Sequence, residues 1–262
     1  MKRLVAITIA GLMTLAVESA AGPTSVRPGF NVFSLDQDVE IGKQSVVQVE
    51  KQLPMLSNAA VSRYVSAIGA RLAAQAPGAK FPYQFKVVNA SEVNAFALPG
   101  GFIYVNRGLV AKARTEGELA GVLAHEIAHV ALRHPTNQAS KAYLAEAGLG
   151  LLGGLLGGKT QSSTGQIIGA VGGFGLNSLF LKFSRSAESQ ADVVGSQIMA
   201  RAGYNPIEMA TFFNYMTQQA GGDQSKFATF MSSHPAPANR EARVRQEVAL
   251  LGPARASDTD CR

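Results

Sequence analysis

His125-Glu126-Ile127-Ala128-His129 constrains this chain more than any other stretch. On an α-helix, residues four apart lie on one face, so both imidazoles can point at a single ion. Zinc takes neutral imidazole nitrogens at about 2.0–2.1 Å and, in a catalytic site, keeps one position open. Glu126, one residue along, cannot share that face as a ligand. Its carboxylate can instead reach a water at the open position and accept its proton. The flanks predict the helix that this chemistry needs. Thr115 and Glu118 have capping-box spacing, Leu119, Val122, Leu123, Ile127 and Val130 supply an apolar run, and Pro135 ends the helix directly after His134. The plain alternative is a helix surface that carries these residues by chance, and with 4 histidines in 262 residues such a coincidence is rare.

Two imidazoles leave zinc under-coordinated, so a third protein ligand is required. Only His134 and His234 remain as histidines, and Cys261 sits at the C-terminal end, where it can form no internal disulfide. The carboxylates between the motif and His234 are Glu146, Glu188, Asp192, Glu208 and Asp223. Glu188 and Asp192 stand out, four apart on a predicted helix. One can face the metal while the other accepts a hydrogen bond from a ligand imidazole and so fixes its orientation. A solvated helix carboxylate is the competing reading of Glu188.

The remaining pattern predicts helices around a small sheet. Ser34 and Gln37 open a helix carrying Val39, Val46 and Val49 up to Pro54; Asn58 opens a second, with Val61, Val65, Ile68 and Leu72, that stops in Ala76-Pro77-Gly78. Residues 84–88 alternate like a strand, and 94–98 and 102–105 read as two strands around Pro99-Gly100-Gly101. A helix is expected from about Ser186 to Ala202 with Gly203 as its stop, another after Asn205-Pro206, and a last one from about Ala238.

Residues 1–21 begin Met1-Lys2-Arg3, continue as a short uncharged apolar run and end in small residues, the pattern of a secretory signal peptide; an uncleaved anchor is the alternative. Residues 22–33 read as a linker, 34–252 as one domain and 253–262 as a tail. Beyond the leader, 22 basic and 17 acidic side chains remain, scattered without a Lys/Arg block, which argues against a nucleic-acid surface. Residues 147–183 are Gly-rich and nearly uncharged, read as a lid or a surface touching membrane or substrate, with a tightly packed helical hairpin as the alternative.

The motif from His125 to His129 with His134 behind it, the block Ser184-Arg185-Ser186-Ala187-Glu188-Ser189-Gln190-Ala191-Asp192, the upstream Asn94-Ala95-Phe96-Ala97-Leu98-Pro99-Gly100-Gly101 and the downstream Ser233-His234-Pro235 together resemble the HtpX-like family of zinc metallopeptidases, which also includes the CAAX prenyl proteases. The likeness spans roughly residues 35–245 and is closest to the soluble periplasmic branch, from which the sequence departs by ending soon after the peptidase domain; a docking role that a helical-repeat extension would supply is therefore not implied. It implies an α+β, zincin-like metallopeptidase domain with one Zn2+ held by His125, His129 and Glu188, and Glu126 as general base. It further implies Asp192 as partner of a ligand histidine and Asn94, Ala95, Phe96, Ala97 and Leu98 as a sheet edge that pairs with an extended peptide. His234 corresponds to a histidine beside the metal. It donates to the oxyanion of the tetrahedral intermediate, or occupies the open position until substrate displaces it, with a plain loop histidine as the remaining alternative. His134 is expected to support the ligands from behind or to cap the helix end.

The expected activity is zinc-dependent hydrolysis of peptide bonds in unfolded or misassembled envelope proteins, in the periplasm. Two rivals stand beside it: a zinc-containing holdase for outer-membrane proteins that rarely cuts, and a protease embedded in the bilayer through 147–183.

Overall fold

A computed structural model describes residues 22–155, 183–220, 230, 232, 234–235 and 239–251. The expected signal peptide, most of the Gly-rich segment (156–182) and the C-terminal tail with Cys261 lie outside the described residues.

Helix α1 (Leu35–Gln52) starts at the expected capping box, with both reciprocal bonds between Ser34 and Gln37 formed. In α2 (Ala59–Ala73) the Asn58 side chain accepts from the amides of Ala60 and Val61, and Val65, Ile68 and Leu72 are buried on one face. Strands β1 (Gln84–Val88), β2 (Ala95–Leu98) and β3 (Phe102–Asn106) form a sheet of order β1-β3-β2, in which β1 runs parallel and β2 antiparallel to β3. The turn from β2 to β3 needs glycine. Gly100 has φ 75°, and a Cβ there would lie 2.5 Å from Val39 Cα. Residues 54–56 cover the outer side of β1 through Leu56 N to Val87 O and Asn89 N to Pro54 O. The outer side of β2 meets no strand among the described residues, so β2 is the free edge.

After the short α3 (Arg107–Lys112) comes α4 (Glu116–Ala131), buried from Gly117 onward. Such a helix sits inside the fold, not on its surface. The capping at its start is half what the spacing predicts: Thr115 accepts from Glu118 N, but the Glu118 carboxylate turns to the Arg114 amide and guanidinium. Helix α4 also ends earlier than Pro135 predicts. Arg133 adopts φ 56°, and His134 begins a new helix, α5 (His134–Leu155), with Pro135 in the first turn, where a missing N–H costs nothing. The Arg133 side chain fixes this joint, donating to both oxygens of the buried Asp38 and to Phe33 O.

Helices α6 (Arg185–Arg201), α7 (Ile207–Ala220) and α8 (Arg240–Leu251) complete the described chain. Helix α6 lies close along α4, since a Cβ on Gly195 would come 3.3 Å from His125 N. Gly121 of α4 receives α7 even more closely, with Met209 Cα at 2.7 Å from the same construction. Residues 22–33 form no helix or strand and run along the domain: Gln197 donates to Thr24 O and Asn31 to Thr136 Oγ1. No helix among the described residues is long and apolar enough to cross a membrane.

Candidate metal centre

Helix α4 presents His125 and His129 on its α6 face, and α6 presents Glu188 and Asp192 in return. The four-residue step is what aligns each pair. His125 Nε2 lies 3.0 Å from His129 Nε2 and 3.3 Å from Glu188 Oε2, and His129 Nε2 lies 3.4 Å from Glu188 Oε1. His234 joins from beyond α7. Its Nδ1 is 3.4 Å from His125 Nε2 and 3.2 Å from Glu188 Oε1. His125, His129, Glu188 and His234 are all buried and offer donor atoms within 4.8 Å of one another, so they could hold a metal ion.

The spacing fits zinc. Donors at about 2.0–2.1 Å from a tetrahedral ion lie about 3.3–3.4 Å from one another, close to the separations of 3.0 to 3.4 Å found here. The electrostatics favour a cation in the same place. Burial alone would raise the Glu188 carboxyl, yet His234, His125 and His129 hold it far below the usual carboxylate range. Burial works against charge on His125, but the Asp192 and Glu188 carboxylates outweigh it and raise that imidazole to about 9. Burial lowers His129 well below the ordinary imidazole value, against the pull of Glu188.

Glu126 belongs to the same helix but points to the side, as its place in the motif predicts. Both carboxylate oxygens are buried and have no hydrogen-bond partner among the described residues, and Oε1 is 3.4 Å from His234 Nε2. Burial raises its carboxyl above the ordinary value, against the pull of His234, His125 and the Ala97 backbone. A carboxyl raised in this direction is a better proton acceptor than an ordinary glutamate.

Behind the donors, His125 Nδ1 lies 3.1 Å from Asp192 Oδ1, and His134 Nδ1 lies 2.9 Å from His129 Nδ1. Burial lowers His134 to about 4. Aromatic rings shield the group from water: Phe183 stacks on His129 at 4.2 Å, Phe230 on His234 at 4.8 Å, and Phe213 meets His125 edge-on. The five residues from Asn94 to Leu98 lie beside α4, with Asn94, Ala95, Phe96 and Leu98 buried and Ala97 half-buried.

One residue at the site escapes sequence reasoning. Arg240 is buried; its Nε donates to Asp192 Oδ2 at 2.8 Å, its Nη2 donates to Glu188 Oε2 at 3.1 Å, and it lies over the Phe213 ring. The usable signal was indirect. Two carboxylates turned inward four residues apart call for a buried cation, but nothing near Arg240 distinguishes it from Arg243 or Arg245.

The sequence pattern of Peptidase family M48 matches residues 59–248. The chain belongs to this family. Relatives in several organisms agree. It is 29% identical over 229 residues to the beta-barrel assembly-enhancing protease of Escherichia coli (strain K12), covering 85% of this chain and 46% of that protein. With the mitochondrial metalloendopeptidase OMA1 of Schizosaccharomyces pombe it shares 30% over 248 residues, 87% of this chain and 68% of the relative. The metalloprotease LoiP of Escherichia coli is 30% identical over 174 residues, 65% of each chain. This chain therefore spans about half the length of the beta-barrel assembly-enhancing proteases that it matches. Peptidase family M48 is a family of zinc metalloproteases, and the buried donor group and the zincin-like α+β fold are in keeping with membership.

Proposed function

We propose that the chain is a zinc endopeptidase in which His125, His129 and Glu188 hold the ion and Glu126 is the general base. The single observation that carries this reading is the spacing of 3.0 to 3.4 Å among the buried donor atoms, which suits tetrahedral zinc. When bound, zinc supplies Lewis acidity that polarises the scissile carbonyl and acidifies the attacking water. Glu126 accepts the water's proton as the new C–O bond forms, then delivers it to the nitrogen as the C–N bond breaks. Asp192 orients His125 and carries the Arg240 guanidinium on its other oxygen; His134 supports His129. His234 has two roles open to it. Its Nδ1, 3.4 Å from His125 Nε2 and 3.2 Å from Glu188 Oε1, can complete the resting coordination, and on swinging out the imidazole can donate to the oxyanion.

Substrate enters, in this reading, as an extended strand along β2, residues 94–98, whose free edge offers backbone groups that ignore most side chains. Such pairing suits unfolded chains. Together with the leader-like residues 1–21 and the relatives' names, it supports misassembled envelope proteins as substrates and the periplasm as the place of action. Residues 34–252 then act as one peptidase domain, with the Gly-rich 147–183 as a lid or membrane-facing surface.

Degradation of casein by the zinc-loaded chain tests the reading. Wild type should cut, and Glu126→Gln should bind zinc while losing on the order of 10²–10⁴ in rate. Undiminished cleavage by Glu126→Gln would remove it from the reaction. A wild type that binds zinc and cuts nothing would favour the holdase.

A further inference from the structure

Among the described residues, no carboxylate backs His129. Its Nδ1 faces another imidazole, His134 Nδ1, at 2.9 Å, and the far nitrogen of that ring, Nε2, lies 3.1 Å from Gln190 Oε1. We infer that Gln190 acts through His134 as a positioning residue that fixes the tautomer of His129 and so keeps its Nε2 lone pair available to zinc.

Proton accounting requires this order. Two imidazole nitrogens in hydrogen-bond contact hold one hydrogen between them, because two N–H groups or two lone pairs would repel. His129 can present a lone pair at Nε2 only with its proton at Nδ1. That proton is then donated to His134 Nδ1, which must be bare, so the proton of His134 sits on Nε2. There it meets Gln190 Oε1, a carbonyl oxygen that only accepts. The reverse order is chemically consistent and fatal to binding. With the Gln190 amide nitrogen donating to His134 Nε2, His134 would carry its proton on Nδ1 and His129 on Nε2, which closes the donor. The orientation of one amide two residues past Glu188 therefore decides whether His129 can ligate.

The contrast with His125 gives the relay its use. His125 is backed by Asp192, an anion already balanced by Arg240. The relay behind His129 fixes a tautomer without adding another buried charge to a group that already holds Glu126, Glu188 and Asp192. Phe183, stacked on His129 and tilted against His134, holds the two ring planes.

The inference rests on the reading of His129 as a zinc ligand, and two measurements on the full-length, zinc-loaded chain test them separately. Long-range proton–nitrogen correlation spectra of ¹⁵N-histidine-labelled wild type should find the proton of His134 on Nε2 and that of His129 on Nδ1. A proton on His134 Nδ1 would overturn the relay whatever any variant does. Zinc affinity from competition with a chelator should weaken about 10–100-fold in Gln190→Met. Gln190→Glu, which keeps an accepting oxygen, should stay near wild type, whereas a merely space-filling role would leave Gln190→Met near wild type and overturn the inference. Undiminished zinc affinity in His129→Ala would instead defeat the ligand assignment. Should Gln190→Met fail to fold, the spectra of wild type still decide.

Discussion

Arg240 donates through Nε to Asp192 Oδ2 at 2.8 Å, and both side chains are buried. Its other arm reaches Glu188, so one guanidinium compensates two carboxylates that α6 turns away from water. Removing it leaves both uncompensated. Arg240→Met should lower the unfolding free energy of the zinc-free protein by about 3–5 kcal/mol, read from urea denaturation in chelator. Excess zinc should recover part of the loss, because the ion supplies positive charge to Glu188. Equal stability with and without Arg240 would mean that solvent reaches the carboxylates.

Helices α4 and α7 approach through Gly121, where a methyl group would meet Met209 Cα and Cβ at 2.7 Å. Backbone cannot step aside as a flexible side chain can. Gly121→Ala should destabilise by about 1–3 kcal/mol, whereas Gly22→Ala, with nothing within 4 Å, should not. Thermal unfolding of the two variants compares them directly.

Zinc should stabilise the fold by mass action. At free zinc about 100 times its Kd, the unfolding free energy should rise by about 2.7 kcal/mol over the chelated protein. The increment should vanish in His125→Ala and Glu188→Ala, whatever their own stabilities, because the comparison is made within each variant. An increment that survives both would place the ion elsewhere.

A pH effect is expected away from the metal. Burial raises the Glu50 carboxyl, but hydrogen bonds from Lys86 and Tyr104 outweigh it and leave it below its ordinary 4.5. A group lowered in the folded state stabilises above its unfolded value, and that stability is lost as pH falls through the folded one. The pair is partly exposed, with side chains 40% and 31% accessible, so the effect is at most about 1 kcal/mol. Urea midpoints of wild type and Lys86→Met should differ at about pH 6.5, and the difference should shrink as the pH falls below Glu50's ordinary 4.5. A constant difference would show that Lys86 acts through packing alone.

Much of this was legible in the sequence because it is local. Ser34 and Asn58 each sit one residue before the helix that they cap, and Gly203, with φ 81°, stops α6 where a stop was expected, although α6 begins at Arg185 behind a Ser184 cap that sequence reasoning did not name. That His125 and His129 share one face of α4 was readable from spacing, and Glu188 stood out by its i, i+4 relation to Asp192 together with the family resemblance; the structure brings all three within reach of one ion. What could not be read depends on a distant partner. Periodicity marks which face of a helix is buried but not what meets it, so the parallel pairing of β1 with β3 carried no signal. A charged side chain such as Arg240 or Asp38 reads as solvated until its counter-ion is found, 48 residues away for Asp192 and 95 for Arg133. Pro135 misled because the same ring that stops one helix is welcome in the first turn of the next.

Anomalous diffraction at the zinc edge, from crystals of the zinc-loaded chain, would test the metal assignment most directly. We expect one dominant peak about 2.0–2.2 Å from His125 Nε2, His129 Nε2 and a Glu188 oxygen. A peak bound to other side chains, or Glu188 turned away from both imidazoles, would contradict the assignment and the mechanism built on it.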